Sequence, residues 1–226
     1  MTAVIFDLDG TLVDSVPDMH MAMNRVLAER GHDPLPVDRL RGFVGHGVPV
    51  LVRRVMEAAG VPGDGFDDWH DGYMRCYGEG ICVETRPYPG VTGALAALAA
   101  RGFRLGVCTN KPQGLTEALL DGLGLGACFG AVLGGDSAFG CKPDPAPLRE
   151  VLARLGGGPA VMVGDSAADI GAARAAGMPV ILYTGGYAGP SLDETAADAA
   201  FGDWSRLPGL VGGLLARQSP DRGAGG

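Results

Sequence analysis

Short apolar runs alternate with helical stretches along most of this 226-residue chain, and this alternation limits the possible folds more than any other feature. Each run ends in polar or glycine residues, as is typical of strands that are buried on both faces. The alternation predicts an α/β fold, a doubly wound parallel sheet covered by helices. The predicted strands are residues 3–6, 103–108, 131–133, 160–163 and 179–183, and the predicted helices are 91–101, 112–123, 145–155 and 167–176.

The first predicted strand breaks this pattern, because a long segment of helical character follows it. Amphipathic or periodic stretches at 16–30, 37–43, 48–59 and 65–78 predict four helices there. We therefore expect a small α-helical cap, residues 15–86, inserted into a core made of residues 1–14 and 87–217. Residues 218–226 (QSPDRGAGG) contain little to bury and are expected to form a flexible tail.

Composition and charge exclude several functions. The net charge of −8 argues against binding to nucleic acid or anionic membranes, although a local cationic site can still bind an anion. The five cysteines form no CxxC pair, and the longest apolar run, 94–100, is far shorter than the ~20 residues of a membrane span. The N-terminus lacks the basic region of a signal peptide. We expect a cytoplasmic protein without nucleic-acid or membrane partners.

Two aspartates follow the first predicted strand. Asp7 and Asp9 are two residues apart in the segment DLDGT, so in an extended strand both carboxylates point to one side, at the edge where open α/β sheets bind ligands. Two close carboxylates do not easily both ionise unless a cation binds one or a proton stays on the other. This favours one metal-bound nucleophile and one acid/base; the alternative is a polar turn.

Candidate phosphate ligands follow two other predicted strands. Thr109 and Asn110 precede a predicted helix, where a hydroxyl and backbone N–H groups can bind phosphate, although both residue types are also common helix caps. Lys142 lies in the loop after the third predicted strand. The chain has only two lysines, Lys111 and Lys142, against sixteen arginines, so a lysine here is less readily explained as an ordinary surface charge.

Asp165 and Asp169 follow the fourth predicted strand in the segment GDSAAD. Residues four apart share a helix face, and carboxylate oxygens on a rigid turn suit Mg²⁺. Capping of the next helix is the alternative explanation. The stronger argument is convergence, because acidic, hydroxyl, amide and ammonium groups are each expected at the carboxyl end of a parallel strand.

The segments DLDGT, TN, KP and GDSAAD, in this order, resemble the motifs of the haloacid dehalogenase (HAD) superfamily of phosphohydrolases, which has a Rossmann-like core. The resemblance implies that Asp7 is the nucleophile, Asp9 the general acid/base, and Thr109, the Asn110 amide and Lys142 the ligands of the phosphoryl group. It also implies Mg²⁺ bound by Asp7, the Asp9 carbonyl and Asp165, with Asp169 outside the direct ligands or acting through water.

Longer segments, including RGFVGHGV, CTNKP and KPDPAPL, are similar to bacterial phosphoglycolate phosphatases. The resemblance implies Mg²⁺-dependent hydrolysis of a small phosphorylated metabolite, 2-phosphoglycolate, through an aspartyl-phosphate, by a monomer or homodimer. Alternatives are pyrophosphate or pyridoxal phosphate as substrate, a sugar phosphomutase, or a non-catalytic phospho-receiver.

The predicted cap contains a glycine-rich loop that could close over the site. Its backbone N–H groups could bind a substrate carboxylate, with nearby cationic or imidazole side chains as partners. A simple turn between two helices is the alternative. The candidates are Arg41, Gly45, His46, Gly47 and Arg53.

Overall fold

A parallel sheet of six strands forms the centre of the fold. The computed structural model describes residues 2–187 and 192–218. Its strands are β1 Ala3–Phe6, β2 Val13–Asp14, β3 Arg86–Pro87, β4 Arg104–Cys108, β5 Ala131–Leu133, β6 Ala160–Gly164, β7 Val180–Tyr183 and β8 Ala199–Phe201. The sheet has the order β5-β4-β1-β6-β7-β8, and all neighbouring pairs are parallel. Strands β2 and β3 form a separate antiparallel pair.

Helices cover both faces of the sheet. They are α1 Val16–Glu29, α2 Val37–Arg41, α3 Val48–Ala58, α4 Phe66–Glu79, α5 Val91–Ala100, α6 Gln113–Gly122, α7 Ala146–Arg154, α8 Ala167–Ala176 and α9 Leu207–Gln218. Alternate residues of β1 face the two layers: Val4 and Phe6 pack in the cluster that includes α5 and α9, and Ala3 and Ile5 in the one with α7 and α8. The prediction of a doubly wound α/β fold is confirmed.

Helices α1–α4 form a helical cap between β2 and β3 with a hydrophobic core of its own. Met23, Leu51, Val55 and Tyr73 are among its buried side chains, and Leu115 of α6 joins them from the sheet side. We retain 15–86 as the proposed cap and 1–14 with 87–217 as the proposed core. Of the proposed tail, Gln218 ends α9 and residues 219–226 lie outside the described residues.

Three strands and one helix were missed by the sequence analysis. Strands β2 and β3 have two residues each, too few for a periodic signal. Strand β8 has the sequence AAF and lies at the edge of the sheet, where alanine gives a weak strand signal. Helix α9 contains one proline and three glycines, which are poor helix formers. Packing of Leu207 and Val211 into the main core stabilises it instead.

None of the helices within residues 2–187 and 192–218 combines the length and the apolar character needed to cross a bilayer.

Candidate active site

Polar side chains from three adjacent strands meet at the carboxyl edge of the sheet. Asp7 follows β1, Thr109 follows β4 and Asp165 follows β6, while Lys142 comes from the loop after β5. All four are buried, with at most 6% of their surface exposed. Because β1 lies between β4 and β6, these residues converge beside the centre of the sheet, where open α/β folds bind ligands.

Lys142 neutralises part of this acidic site. Its ammonium lies 2.8 Å from Asp7 Oδ1 and donates a hydrogen bond of 2.6 Å to Asp169 Oδ1. Burial alone would lower the pKa of Lys142, but the two carboxylates outweigh it and raise the pKa well above its usual range. Lys142 therefore stays charged beside Asp7.

Three carboxylates lie close enough to hold one cation. One oxygen each of Asp7, Asp165 and Asp169 lies within 4.8 Å of the others, and all three residues are buried. Burial raises the pKa of Asp7 to about 6 although Lys142 opposes it; burial and then the charges of Asp169 and Asp7 raise the pKa of Asp165 to about 8. A divalent cation would relieve this desolvation and repulsion, and an all-oxygen ligand set fits Mg²⁺.

Backbone and hydroxyl donors fix the orientation of Asp165. Thr11 Oγ1 donates to Asp165 Oδ1 at 2.7 Å, and the Tyr187 N–H donates to Oδ2 at 2.8 Å. Gly10 makes the close approach possible, because its φ of +86° suits glycine and an added Cβ would lie 2.5 Å from Asp165 Oδ2. The glycine in DLDGT is therefore required by the conformation of the turn and by the space beside Asp165.

Asp169 caps α8 as well as belonging to the acidic cluster. Its Oδ2 accepts hydrogen bonds from the backbone N–H groups of Asp165 and Ser166 and from Ser166 Oγ, while its Oδ1 accepts from Lys142. Ser166 is the N-cap residue. Each oxygen of Asp165 accepts one hydrogen bond, whereas Asp169 Oδ1 already contacts a cation and Asp169 Oδ2 accepts from three donors. This geometry favours a role for Asp169 beyond the direct metal ligands.

Asp9 has different partners from Asp7. Its carboxylate lies 3.1 and 3.2 Å from the Lys111 ammonium and accepts a 2.6 Å hydrogen bond from Ser15 Oγ. Asp7 and Asp9 nevertheless line the same two cavities. The Asp9 carboxylate does not belong to the acidic cluster, so only its backbone carbonyl remains our proposed metal ligand.

The phosphate-binding candidates have unequal environments. Thr109 lines the same cavity as Asp7 and Asp9. The side chain of Asn110 accepts from Lys142 N at 2.8 Å and donates to the Lys142 and Gly45 carbonyls at 3.0 and 3.1 Å. It therefore holds the Lys142 loop against the cap, which leaves the backbone amide of Asn110 as the proposed phosphate ligand.

Most of the cap candidates, but not all, reach the site. We call the cavity that contains Gly47 and Thr109 the inner cavity, and the one that contains His46 and Asp165 the outer cavity. Gly45 lines both, Gly47 the inner one, and Arg41 and His46 the outer one. Arg53 is not among the residues lining either cavity; its guanidinium lies 4.5 Å from the centroid of the Phe66 ring. The structure therefore does not bring Arg53 to the site.

Sequence reasoning missed three side chains of the inner cavity. The Lys111 ammonium donates to Asp9 and, at 2.6 Å, to the hydroxyl of Tyr77; Tyr73 lies one helical turn before Tyr77 on α4. Burial lowers the pKa of Lys111, although Asp9 opposes the shift. The scarcity of lysine in the chain pointed to Lys111, but no local signal indicated that α4 would place Tyr73 and Tyr77 beside it.

The fold and the site together define a class of hydrolase. The chain matches the family model described as haloacid dehalogenase-like hydrolase over residues 1–177, and it belongs to that family.

The proteins and solved structures to which the chain is similar include several phosphoglycolate phosphatases. The chain is 41% identical over 218 residues to "Phosphoglycolate phosphatase" of Cereibacter sphaeroides, covering 96% of this chain and 100% of the relative. It is 44% identical over 218 residues to the protein of the same name from Rhodospirillum rubrum, covering 93% and 90%. A crystal structure of a "predicted phosphoglycolate phosphatase" from Haemophilus somnus matches with a TM-score of 0.86 at 32% identity, covering 92% and 96%.

Proposed function

We propose that this hydrolase is a Mg²⁺-dependent phosphatase whose substrate is 2-phosphoglycolate. The broader class, phosphoric monoester hydrolase, follows from the family and from the phosphatases to which the chain is similar. The observation that carries the proposal is that Asp7 and Asp165, at the ends of neighbouring parallel strands, meet Lys142 from the loop after β5, with Asp9 lining the same cavities as Asp7.

The proposed reaction begins with Asp7 attacking phosphorus in line with the leaving alkoxide, which gives an aspartyl-phosphate. Asp9 protonates the leaving alkoxide and then takes a proton from the water that hydrolyses the intermediate. Lys142, Thr109 and the Asn110 amide bind the phosphoryl oxygens and balance the charge that develops on them. Asp9 is suited to general acid/base catalysis because Ser15 and Lys111 hold its carboxylate in place beside the inner cavity.

Asp7, Asp165 and the Asp9 carbonyl would hold Mg²⁺, with Asp169 supporting the site through Lys142 and the α8 cap. When bound, the cation supplies positive charge that offsets the negative charge of the phosphoryl oxygens.

A panel of phosphate compounds at equal concentration with Mg²⁺ tests the substrate. It includes 2-phosphoglycolate, pyrophosphate, pyridoxal phosphate and a hexose phosphate. We expect the highest kcat/KM for 2-phosphoglycolate, measured as free phosphate. A higher value for another compound would overturn the substrate proposal, and isomerised hexose phosphate would indicate the mutase.

The Asp7→Asn variant tests the mechanism in the same assay. An amide is neither a nucleophile nor a good metal ligand, so we expect kcat to fall by at least about 10³-fold, or about 4 kcal/mol. Asp33→Asn, at an exposed loop position, is the matched control and should keep the wild-type rate. Wild-type turnover by Asp7→Asn would exclude the aspartyl-phosphate route.

A further inference from the structure

The inner cavity lies where the cap faces the site, and most of its wall is apolar. The apolar part is formed by Met19, Val44, Val48 and Leu51 of the cap. About 30 Å³ of it is open to water-sized groups, which is room for about two waters. Only a small leaving group fits there in this conformation of the cap.

Three polar groups from the core and cap interrupt this apolar wall. The Lys111 ammonium comes from the core, and the hydroxyls of Tyr73 and Tyr77 come from α4. The two tyrosine rings are stacked, with centroids 5.5 Å apart and planes 26° apart. One cation and two phenol groups therefore lie between the apolar part of the wall and the catalytic end of the cavity, which Asp7, Asp9 and Thr109 line.

Both phenol groups can still donate a hydrogen bond. The Tyr73 hydroxyl is fully buried and has no hydrogen-bond partner among the described residues. The Tyr77 hydroxyl accepts a hydrogen bond from the Lys111 ammonium. Its own hydrogen has no acceptor among the described residues and is available for a ligand. Buried hydroxyls are nearly always paired in folded proteins, so an unpaired one calls for an explanation.

A bound acceptor provides that explanation. Lys111 offsets the charge of Asp9, with which it pairs, and the two O–H groups beside it are free to donate. Two such donors next to an ammonium complement a small anion with two acceptor oxygens, that is, a carboxylate. In the proposed function the phosphoryl group binds beside Asp7 and Lys142, and the inner cavity continues from Asp7 and Asp9 to Lys111, Tyr73 and Tyr77. The carboxylate of a two-carbon leaving group is carried by the carbon next to the ester carbon, so it extends into this cavity.

We infer that Lys111, Tyr73 and Tyr77 bind the carboxylate of the leaving group and select phosphomonoesters that carry one. This inference rests on the proposed function. It assigns substrate recognition to the inner cavity and to α4, instead of to Arg41 and His46 at the outer cavity.

Tyr73→Phe tests the inference, because it removes only the unpaired hydroxyl and should leave the melting temperature unchanged. The two substrates are 2-phosphoglycolate and ethyl phosphate, which has the same carbon chain without the carboxylate. Loss of one hydrogen bond to a charged group should lower kcat/KM for 2-phosphoglycolate about 10- to 100-fold, mainly through KM. Ethyl phosphate should change less than about twofold.

The matched control is Tyr183→Phe, which removes a phenol hydroxyl in the main core outside both cavities and should leave both substrates unchanged. Equal losses for both substrates in Tyr73→Phe, or no loss for either, would overturn the subsite. Selective loss in His46→Ala but not in Tyr73→Phe would also overturn it and assign recognition to the outer cavity.

The wild-type enzyme separates this inference from the proposed function. If wild type prefers 2-phosphoglycolate and Tyr73→Phe keeps the preference, the subsite fails and the function stands. If wild type prefers another carboxylate-bearing phosphomonoester and Tyr73→Phe loses that preference, the substrate assignment fails and the subsite stands. If wild type prefers ethyl phosphate over all carboxylate-bearing esters, both fail.

Discussion

At the scale of single residues, the two lysines of this chain divide the site between them. Lys142 pairs with Asp7 and Asp169, whereas Lys111 pairs with Asp9 and Tyr77. Each proposed catalytic carboxylate thus has a buried ammonium of its own. The arginines form exposed pairs such as Arg154 with Glu150. Lysine suits these positions because its compact ammonium can contact separate partners in a narrow space.

Replacing Lys142 should cost both stability and activity. Lys142→Met leaves Asp7 and Asp169 buried without their cation, and breaking a buried pair in this way typically costs about 3–5 kcal/mol. We expect a loss of that order in the free energy of unfolding, measured with urea in EDTA, together with loss of phosphatase activity.

Arg154→Met is the matched control for Lys142→Met. Its pair with Glu150 is exposed, so the free energy of unfolding should change by less than about 1 kcal/mol. Equal effects of the two variants would show that the buried charges of the site contribute no special stability.

At the scale of secondary-structure elements, one buried carboxylate connects the two segments through which the chain enters and leaves the cap. Asp18, in the first turn of α1, accepts hydrogen bonds from the backbone N–H groups of Val83, Glu84 and Thr85 and from Thr85 Oγ1. Residues 83–85 lead directly into β3. Asp18 therefore fixes the start of α1 to the segment that returns to the sheet.

Removing that carboxylate should destabilise the protein. Asp18→Ala leaves the N–H and hydroxyl of Thr85 buried without an acceptor, so we expect a loss of about 2 kcal/mol or more in the free energy of unfolding. Urea unfolding of Asp18→Ala and of Asp33→Ala, an exposed loop aspartate, gives the comparison. A change below about 0.5 kcal/mol in Asp18→Ala would contradict this role.

At the scale of the whole molecule, a chain of net charge −8 concentrates three carboxylates at one buried point. Folding brings Asp7 together with Asp165 and Asp169, which belong to one segment far along the chain, and it removes all three from water. Removal from water disfavours the ionised carboxylates, and it is the main reason why the pKa values of Asp7 and Asp165 are raised. A ligand that offsets the charge of the folded site, and is not bound by the unfolded chain, stabilises the whole protein.

Mg²⁺ should therefore raise the melting temperature. At 100 times its Kd, a ligand of the folded state adds about 2.7 kcal/mol, which corresponds to roughly 5–10 °C in a chain of this size. Differential scanning fluorimetry in EDTA, then with Mg²⁺, measures the shift against NaCl of equal ionic strength. Asp165→Asn should lose most of it; an equal shift in that variant would place the cation elsewhere.

Five of the six strands of the sheet, and the meeting of the residues that follow them at one edge, could be predicted from the sequence alone. Continuous apolar runs such as 3–6 and 160–163 have to be buried, and parallel strands bring the residues after them to one edge. That is why Asp7, Thr109, Lys142 and Asp165 could be predicted together. The predictions used only local periodicity and the direction of the chain.

Which cap residues face the site depends on how the helices of the cap pack. The rotation of α4 about its axis places Tyr73 and Tyr77 toward Lys111, while Arg53 of α3 lies against Phe66. A helical period identifies the apolar face of a helix, but the partner of each polar residue depends on packing between helices far apart in sequence. The cap candidates were therefore chosen from a glycine-rich loop and the cationic or imidazole side chains near it in sequence, and packing determines which of them reach the cavities.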